Sequence, residues 1–246
     1  MRSNNRDLFG GISAILLGLS YIPVGIAASR NPALRASTPA EALQAVAENP
    51  KWTRIETMSF ALGSLFGLAT VQAVSRRVEP ANEGVTHWAS AVGMLAFALV
   101  SIKDFRSFVM AAETIRIHEQ GDPVVQKTFA ELMTPITDLD PLGFSYGGVG
   151  AWLTAVNLLA IRSGAWPKYL SYTGALGGLM YVAIMLGQMF RSKPLFLIGV
   201  MLGSFLGPAW YIQMGVHLLR GQPHAVSPLE PTLPLRGRDT DAAAGE

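Results

Sequence analysis

The sequence predicts an all-α, polytopic bundle of six transmembrane helices with interfacial amphipathic helices, and three observations carry that prediction. Half of the residues are hydrophobic and only 15% are charged, where a soluble domain of this size carries about 25% charge. The deficit is concentrated in six apolar stretches, each close to the roughly 20 residues that cross the hydrocarbon of a bilayer. The connections between them carry helix punctuation rather than strand alternation. The spans fall at about 8–28, 55–75, 86–102, 143–161, 169–190 and 194–219, which makes 1–221 one membrane domain and 222–246 a disordered, proline-rich tail.

The first stretch follows a basic start, "MRSNNRDLFGG", so a removable signal peptide competes with a span. Its apolar run exceeds a signal core, and Ile26-Ala27-Ala28 is an imperfect cleavage site, so it is retained as a span. Between the first two spans, Thr38 is placed to cap a helix, Pro39 suits the first helical position and Glu41 completes a capping box. Asn49-Pro50 ends that helix, and Trp52 follows at headgroup level. The third span is short before Lys103, and Phe105, Phe108, Val109 and Ala112 continue it at helical spacing beyond the membrane. Gly121-Asp122-Pro123 breaks it. Val124, Val125, Phe129, Leu132 and Met133 then mark a second amphipathic piece, so residues 104–137 are expected to cap one end of the bundle rather than cross it.

An even number of spans puts both termini on one side. Arg and Lys are nearly balanced across the two sides, and the two long connections favour a cytoplasmic placement of both termini. The net charge of +2 comes with no basic cluster, so no nucleic acid is expected as a partner. The absence of cysteine removes disulfides, thiolate metal sites, Fe–S clusters and cysteine nucleophiles. There is no HExxH, GxSxG or P-loop. His87 and His217 share a side, as a haem-ligating pair would, but neither has a second histidine one turn away. No metal or cofactor is therefore expected.

Three groups of residues are candidates for function. Gly199, Gly203 and Gly207 form a smooth stripe on the last span, with Gly63/Gly67 and Gly174/Gly178 repeating the spacing; such stripes let membrane helices approach backbone to backbone. Gln72, Asn157, Gln213 and His217 lie towards one end of their spans with Tyr172 and Trp210. They read either as interhelical hydrogen bonds or as the polar floor of a ligand pocket. At the other end stand Glu56, Asp104, Asp138, Asp140, Tyr146 and Gln188. Their carboxylates would serve acid–base chemistry or a cation. In the plainer reading Glu56 closes a capping box with Thr53, Asp104 marks a span exit and Asp140 caps the fourth span.

The stretch "DPLGFSYGGVGAWLTAVNLLAIRSGAWPKYLSYTGALGGLMYV", Asp140 to Val182, joins an Asp-Pro-x-Gly start to a Gly-x-Trp and a Pro-basic-aromatic-Leu turn. With "GPAWYIQMGVHLLR", Gly207 to Arg220, it resembles an uncharacterised bacterial family of six-span membrane proteins, of the domain-of-unknown-function kind. The Thr-Pro-Ala-Glu helix at Thr38 is similar more loosely. The resemblance implies a six-span layout, and no reaction or catalytic residue.

The first expectation for function is a non-enzymatic membrane protein that binds an apolar small molecule or membrane lipid, or packs against a membrane protein partner. The binding residues would be Gln72, Asn157, Tyr172, Trp210, Gln213 and His217. The alternative is a lipid- or isoprenoid-modifying enzyme using Glu56, Asp104 and Asp140. A small transporter comes third, because the halves show no internal repeat and the span centres carry no charge.

Overall fold

A computed structural model describes residues 2–137, 139–140 and 142–221. The tail expected at 222–246 and the candidate Asp138 lie outside the described residues. The chain forms α1 (Arg2–Arg30), α2 (Pro39–Glu48), α3 (Pro50–Val78), α4 (Glu83–Gln120), α5 (Pro123–Thr137), α6 (Phe144–Ser163), α7 (Lys168–Met189) and α8 (Lys193–Leu219), with no strand among the described residues. Six of these, all but α2 and α5, are long and apolar enough to cross a membrane. Leu95, Ile102, Met201 and Phe205 are each more than half exposed, on a scale that a soluble monomer does not tolerate. This is an all-α bundle of an integral membrane protein.

The six long helices close into a ring. Each packs on the next in the chain order α1, α3, α4, α6, α7, α8, and α8 returns to α1. Phe97, Trp152, Trp210 and Tyr211 fill the ring with edge-on contacts, their centroids 5.5 to 6.4 Å apart, the geometry that aligns ring edges with ring faces. The two buried indoles are also satisfied: Trp152 Nε1 donates to Ser75 Oγ and Trp210 Nε1 to the Leu170 carbonyl, both at 3.0 Å. Glycine lets the helices close around these rings. A Cβ at Gly199 would come within 2.8 Å of the Met180 carbonyl oxygen, and one at Gly207 would overlap the Tyr181 hydroxyl, so this stripe is the α7–α8 packing seam.

Local signals set the helix ends. Thr38 Oγ1 accepts from Glu41 N at 3.2 Å, while the Glu41 carboxylate reaches back to Ser37 N at 2.8 Å, one residue earlier than the box predicts. The expected box at Thr53 does not form. Pro50, which has no N–H to leave unpaired, takes the first position of α3, so Thr53 and Glu56 already lie inside the helix. The helix of the third span continues past 102: α4 runs unbroken to Gln120 and stops at Gly121, whose φ of 77° is the left-handed cap that glycine adopts most readily. α2 and α5 pack on each other and on α4, a cap at the end of the bundle opposite the start of α1 and the end of α8.

Candidate functional site

At the terminal end, the residues expected to form a polar floor do not converge. Asn157 and Trp210 are fully buried, and Asn157 is used internally. Its Oδ1 accepts from Trp166 Nε1 at 3.2 Å and its Nδ2 donates to the Leu153 carbonyl at 2.8 Å, which ties the α6–α7 connection to α6. Gln72 and Gln213 are exposed, and His217 is half-buried. Tyr172 is 58% exposed and joins Tyr169 and Trp88 among the outward aromatics that suit an interfacial belt. The reason is helical phase. α3 buries Val71, Ala73 and Val74 and turns Gln72 outward, where its amide meets only Met94 Sδ at 3.5 Å.

His87 turns to Glu79, with Nε2 and Oε1 3.1 Å apart. Glu79, Glu83 and His87 bring ligand atoms within 4.8 Å of one another, and Glu83 and His87 are exposed. Acidic side chains at the start of α4 also complement its helix dipole.

The opposite end is different. A cavity of about 150 Å³ opens inside the ring between α1, α3, α4, α6 and α7. Leu17, Phe60, Phe97, Val100 and Val149 make its apolar wall. Glu56, Asp104 and Lys103 face it with the rings of Tyr21, Tyr146 and Tyr181. Two of the three candidate carboxylates therefore meet in one space.

Each is held differently. Asp104 lies on the face of α4 that Gly93 presses against Trp152 and that carries Phe97 into the aromatic cluster. At 1.5 Å per residue it stands about 31 Å along α4 from Glu83, the far boundary of a hydrocarbon layer of about 30 Å. It is only 8% exposed, and no described residue donates a hydrogen bond to it. Glu56 is half-buried and accepts from Asn31 Nδ2 at 3.1 Å. Asp140 does not line the cavity. It accepts from Ser145 N at 3.0 Å and from Ser145 Oγ, so it caps α6 and fixes the wall that Ser145 and Tyr146 provide. Gln188 packs against Gly143, where a Cβ would overlap its amide.

Tyr21, Tyr181, Lys103 and Asn31 belong to this site and were not among the sequence candidates. Tyr181 donates to the Tyr21 hydroxyl at 3.2 Å across the ring. Lys103 Nζ stands 5.8 Å from the centroid of the Tyr146 ring. With both carboxylates ionised, the two acids and this lysine leave one negative charge facing the cavity. Aromatic faces beside carboxylates suit a cation. The volume matches that of engineered cavities of about 150 Å³ that admit a benzene-sized guest.

Residues 10–221 match a family described as Domain of unknown function (DUF4386), and the chain belongs to that family. Neither a curated protein nor a solved structure matches the chain.

Proposed function

We propose that this protein is a non-enzymatic membrane protein that binds a small apolar cation, an alkyl- or arylammonium, in the Asp104 cavity. Asp104 carries the reading. A carboxylate withdrawn from water is strongly penalised unless something compensates it, and an ionisable side chain inside a membrane bundle marks a functional site by default. No described residue donates a hydrogen bond to Asp104, and the cavity beside it has room for a cation. Tyrosine rings and aliphatic side chains suit the methyl or aryl groups around the nitrogen. The paired-carboxylate enzyme is supported less well, because Glu56 is engaged by Asn31 and Asp140 by Ser145, which leaves Asp104 alone among the described candidate carboxylates without a described hydrogen-bond donor.

Benzyltrimethylammonium titrated calorimetrically into the protein in lipid nanodiscs tests this. Asp104→Asn should weaken binding at least tenfold, about 1.4 kcal/mol, whereas Asp140→Asn should retain it. An uncharged isostere of the same shape should bind the parent at least tenfold more weakly. Equal affinity for the charged and uncharged forms would refute the reading.

A further inference from the structure

A second, more open cavity of about 200 Å³ lies farther along α3 and α4, under α2 and α5. On α4 the first cavity ends at Lys103 and Asp104, and the second begins at Ser107 and continues along Met110 and Ala111. On α3 the first takes Glu56 and the second takes Thr53. The change-over covers three residues on each helix, about 4.5 Å of rise.

Asn31 stands at that boundary. Its Nδ2 donates to Glu56 at 3.1 Å and to Thr53 at 3.2 Å, one wall residue of each cavity. Its Oδ1 accepts from Ala33 N at 3.1 Å, so both ends of the amide are engaged and the side chain, 2% exposed, is held in place.

The two compartments differ in chemistry. Leu43, Val46, Met110 and Phe129 face the second, and no charged side chain among the described residues does. α2 buries none of its residues, so its apolar face borders an open groove above α4 and α5 rather than a sealed core. Protein interiors ordinarily close to near-crystalline density, and side chains that line a void lose their dispersion contacts on that side. An apolar guest would restore them.

We infer that the two cavities are the head and tail compartments of one site, and that its ligand is an elongated monoamine with an alkyl or aryl tail. The ammonium lies against Asp104 and Glu56, and the tail passes Asn31 into the sleeve under α2 and α5. This rests on the cation-binding reading above. Charge complementarity sets the orientation: among the described residues the lining carboxylates, Glu56 and Asp104, are in the first compartment and none lines the second. From Asp104 to Thr114 the walls of α4 run about 15 Å, so the sleeve accepts a chain rather than a second small ion.

The test is a series of n-alkyltrimethylammonium ions from methyl to octyl, titrated against the full chain in nanodiscs with uptake by protein-free nanodiscs subtracted. Affinity should rise about fourfold for each methylene that enters the sleeve and then level off. Ala42→Phe, which fills the sleeve from α2, should flatten the series while tetramethylammonium binds within twofold of the parent. Val46→Trp obstructs the same space from the next turn and should behave alike, which covers the case in which Ala42→Phe displaces α2. A flat series in the parent, or an unchanged slope in both blocked variants, overturns the two-compartment inference and leaves the cation reading standing. Failure of tetramethylammonium to bind, or equal binding by Asp104→Asn, instead removes the cation reading. A phospholipid that copurifies with the parent and is lost in Ala42→Phe, with alkylammonium affinities unchanged, assigns the sleeve to lipid and overturns the inference.

Discussion

At the end of the bundle where α1 starts and α8 stops, Gln72, Tyr172 and Gln213 face outward and Asn157 is engaged with Trp166; at the other end Glu56, Asp104, Tyr21, Tyr146 and Tyr181 face one cavity. The two ends draw on similar residue types. They differ in what fills the centre of the ring. Near the start of α1 and the end of α8, Trp152, Trp210 and Tyr211 are fully buried in it, and their bulk takes up the space that a pocket would need. Farther along, Ser20, Thr57, Ser64 and Ser145 take the inward positions, and side chains this small leave the space that Asp104 borders. The bulk of the inward residues, more than the number of polar ones, decides which end has a site.

Trp152→Ala should break the filled end and produce the largest effect. It removes the indole that Gly93 and Phe97 pack against and leaves Ser75 Oγ without its donor. Truncations of this size typically cost about 3–5 kcal/mol, to be read as a loss of the folded fraction in detergent melting. Tyr181→Phe, at the open end, removes one hydroxyl bond across a cavity and should cost about 1 kcal/mol or less. Equal losses would mean that both ends are load-sharing cores and that the cavity is incidental.

The seam and the buried amide come next. Gly207→Leu drives a side chain into the Tyr181 hydroxyl, and overpacking of this kind typically costs about 1–3 kcal/mol. Gly203→Ala should be nearly silent, because a Cβ there would meet Tyr181 and Met180 at 3.5 and 3.6 Å, ordinary contact distances. The same detergent melt on both separates a continuous seam from one that bears on Gly199 and Gly207. Asn157→Leu leaves the Trp166 indole N–H without an acceptor, at a cost of about 1–3 kcal/mol. A neutral Asn157→Leu would move Asn157 from a structural role back to the surface group with which it shares a membrane depth.

The helices and their ends were legible because span length, caps and breakers are local signals. Rotation of each helix was harder to read, because lipid-facing and core-facing residues are both apolar and hydropathy does not separate them. The glycines carry the missing information. On α8 Gly199, Gly203 and Gly207 lead to Trp210, Met214 and Leu218, all buried, and Gln213 falls off that line. On α3 the Gly63/Gly67 face runs back through Phe60 to Glu56, and on α4 the Gly93 face runs forward through Phe97 and Val100 to Asp104. Extended by helical phase, the glycine stripes lead to the carboxylates that line the cavity. Asn31 had no such signal: it lies outside any periodic segment, and contacts 22 and 25 residues away define its role.

The smallest expected effects fall where the sequence suggested a pocket floor. Gln72→Leu and Gln213→Leu replace exposed amides on the outer surface of α3 and α8. The only side-chain hydrogen bond of Gln72 is a long one to a thioether sulfur at 3.5 Å, which is weak in any medium. Interhelical hydrogen bonds in membranes average only about 0.6 kcal/mol, and surface substitutions away from such contacts usually fall within about 0.5 kcal/mol of neutral. Both variants should therefore melt with the parent and bind benzyltrimethylammonium as the parent does. Alkylammonium affinity lost in Gln213→Leu but kept in Asp104→Asn would place the ligand at the terminal end and reverse the comparison. Unchanged melting and binding in both glutamine variants, beside lost binding in Asp104→Asn, would leave the cavity end as the site, because there Glu56, Asp104 and Lys103 face a space that a ligand can enter.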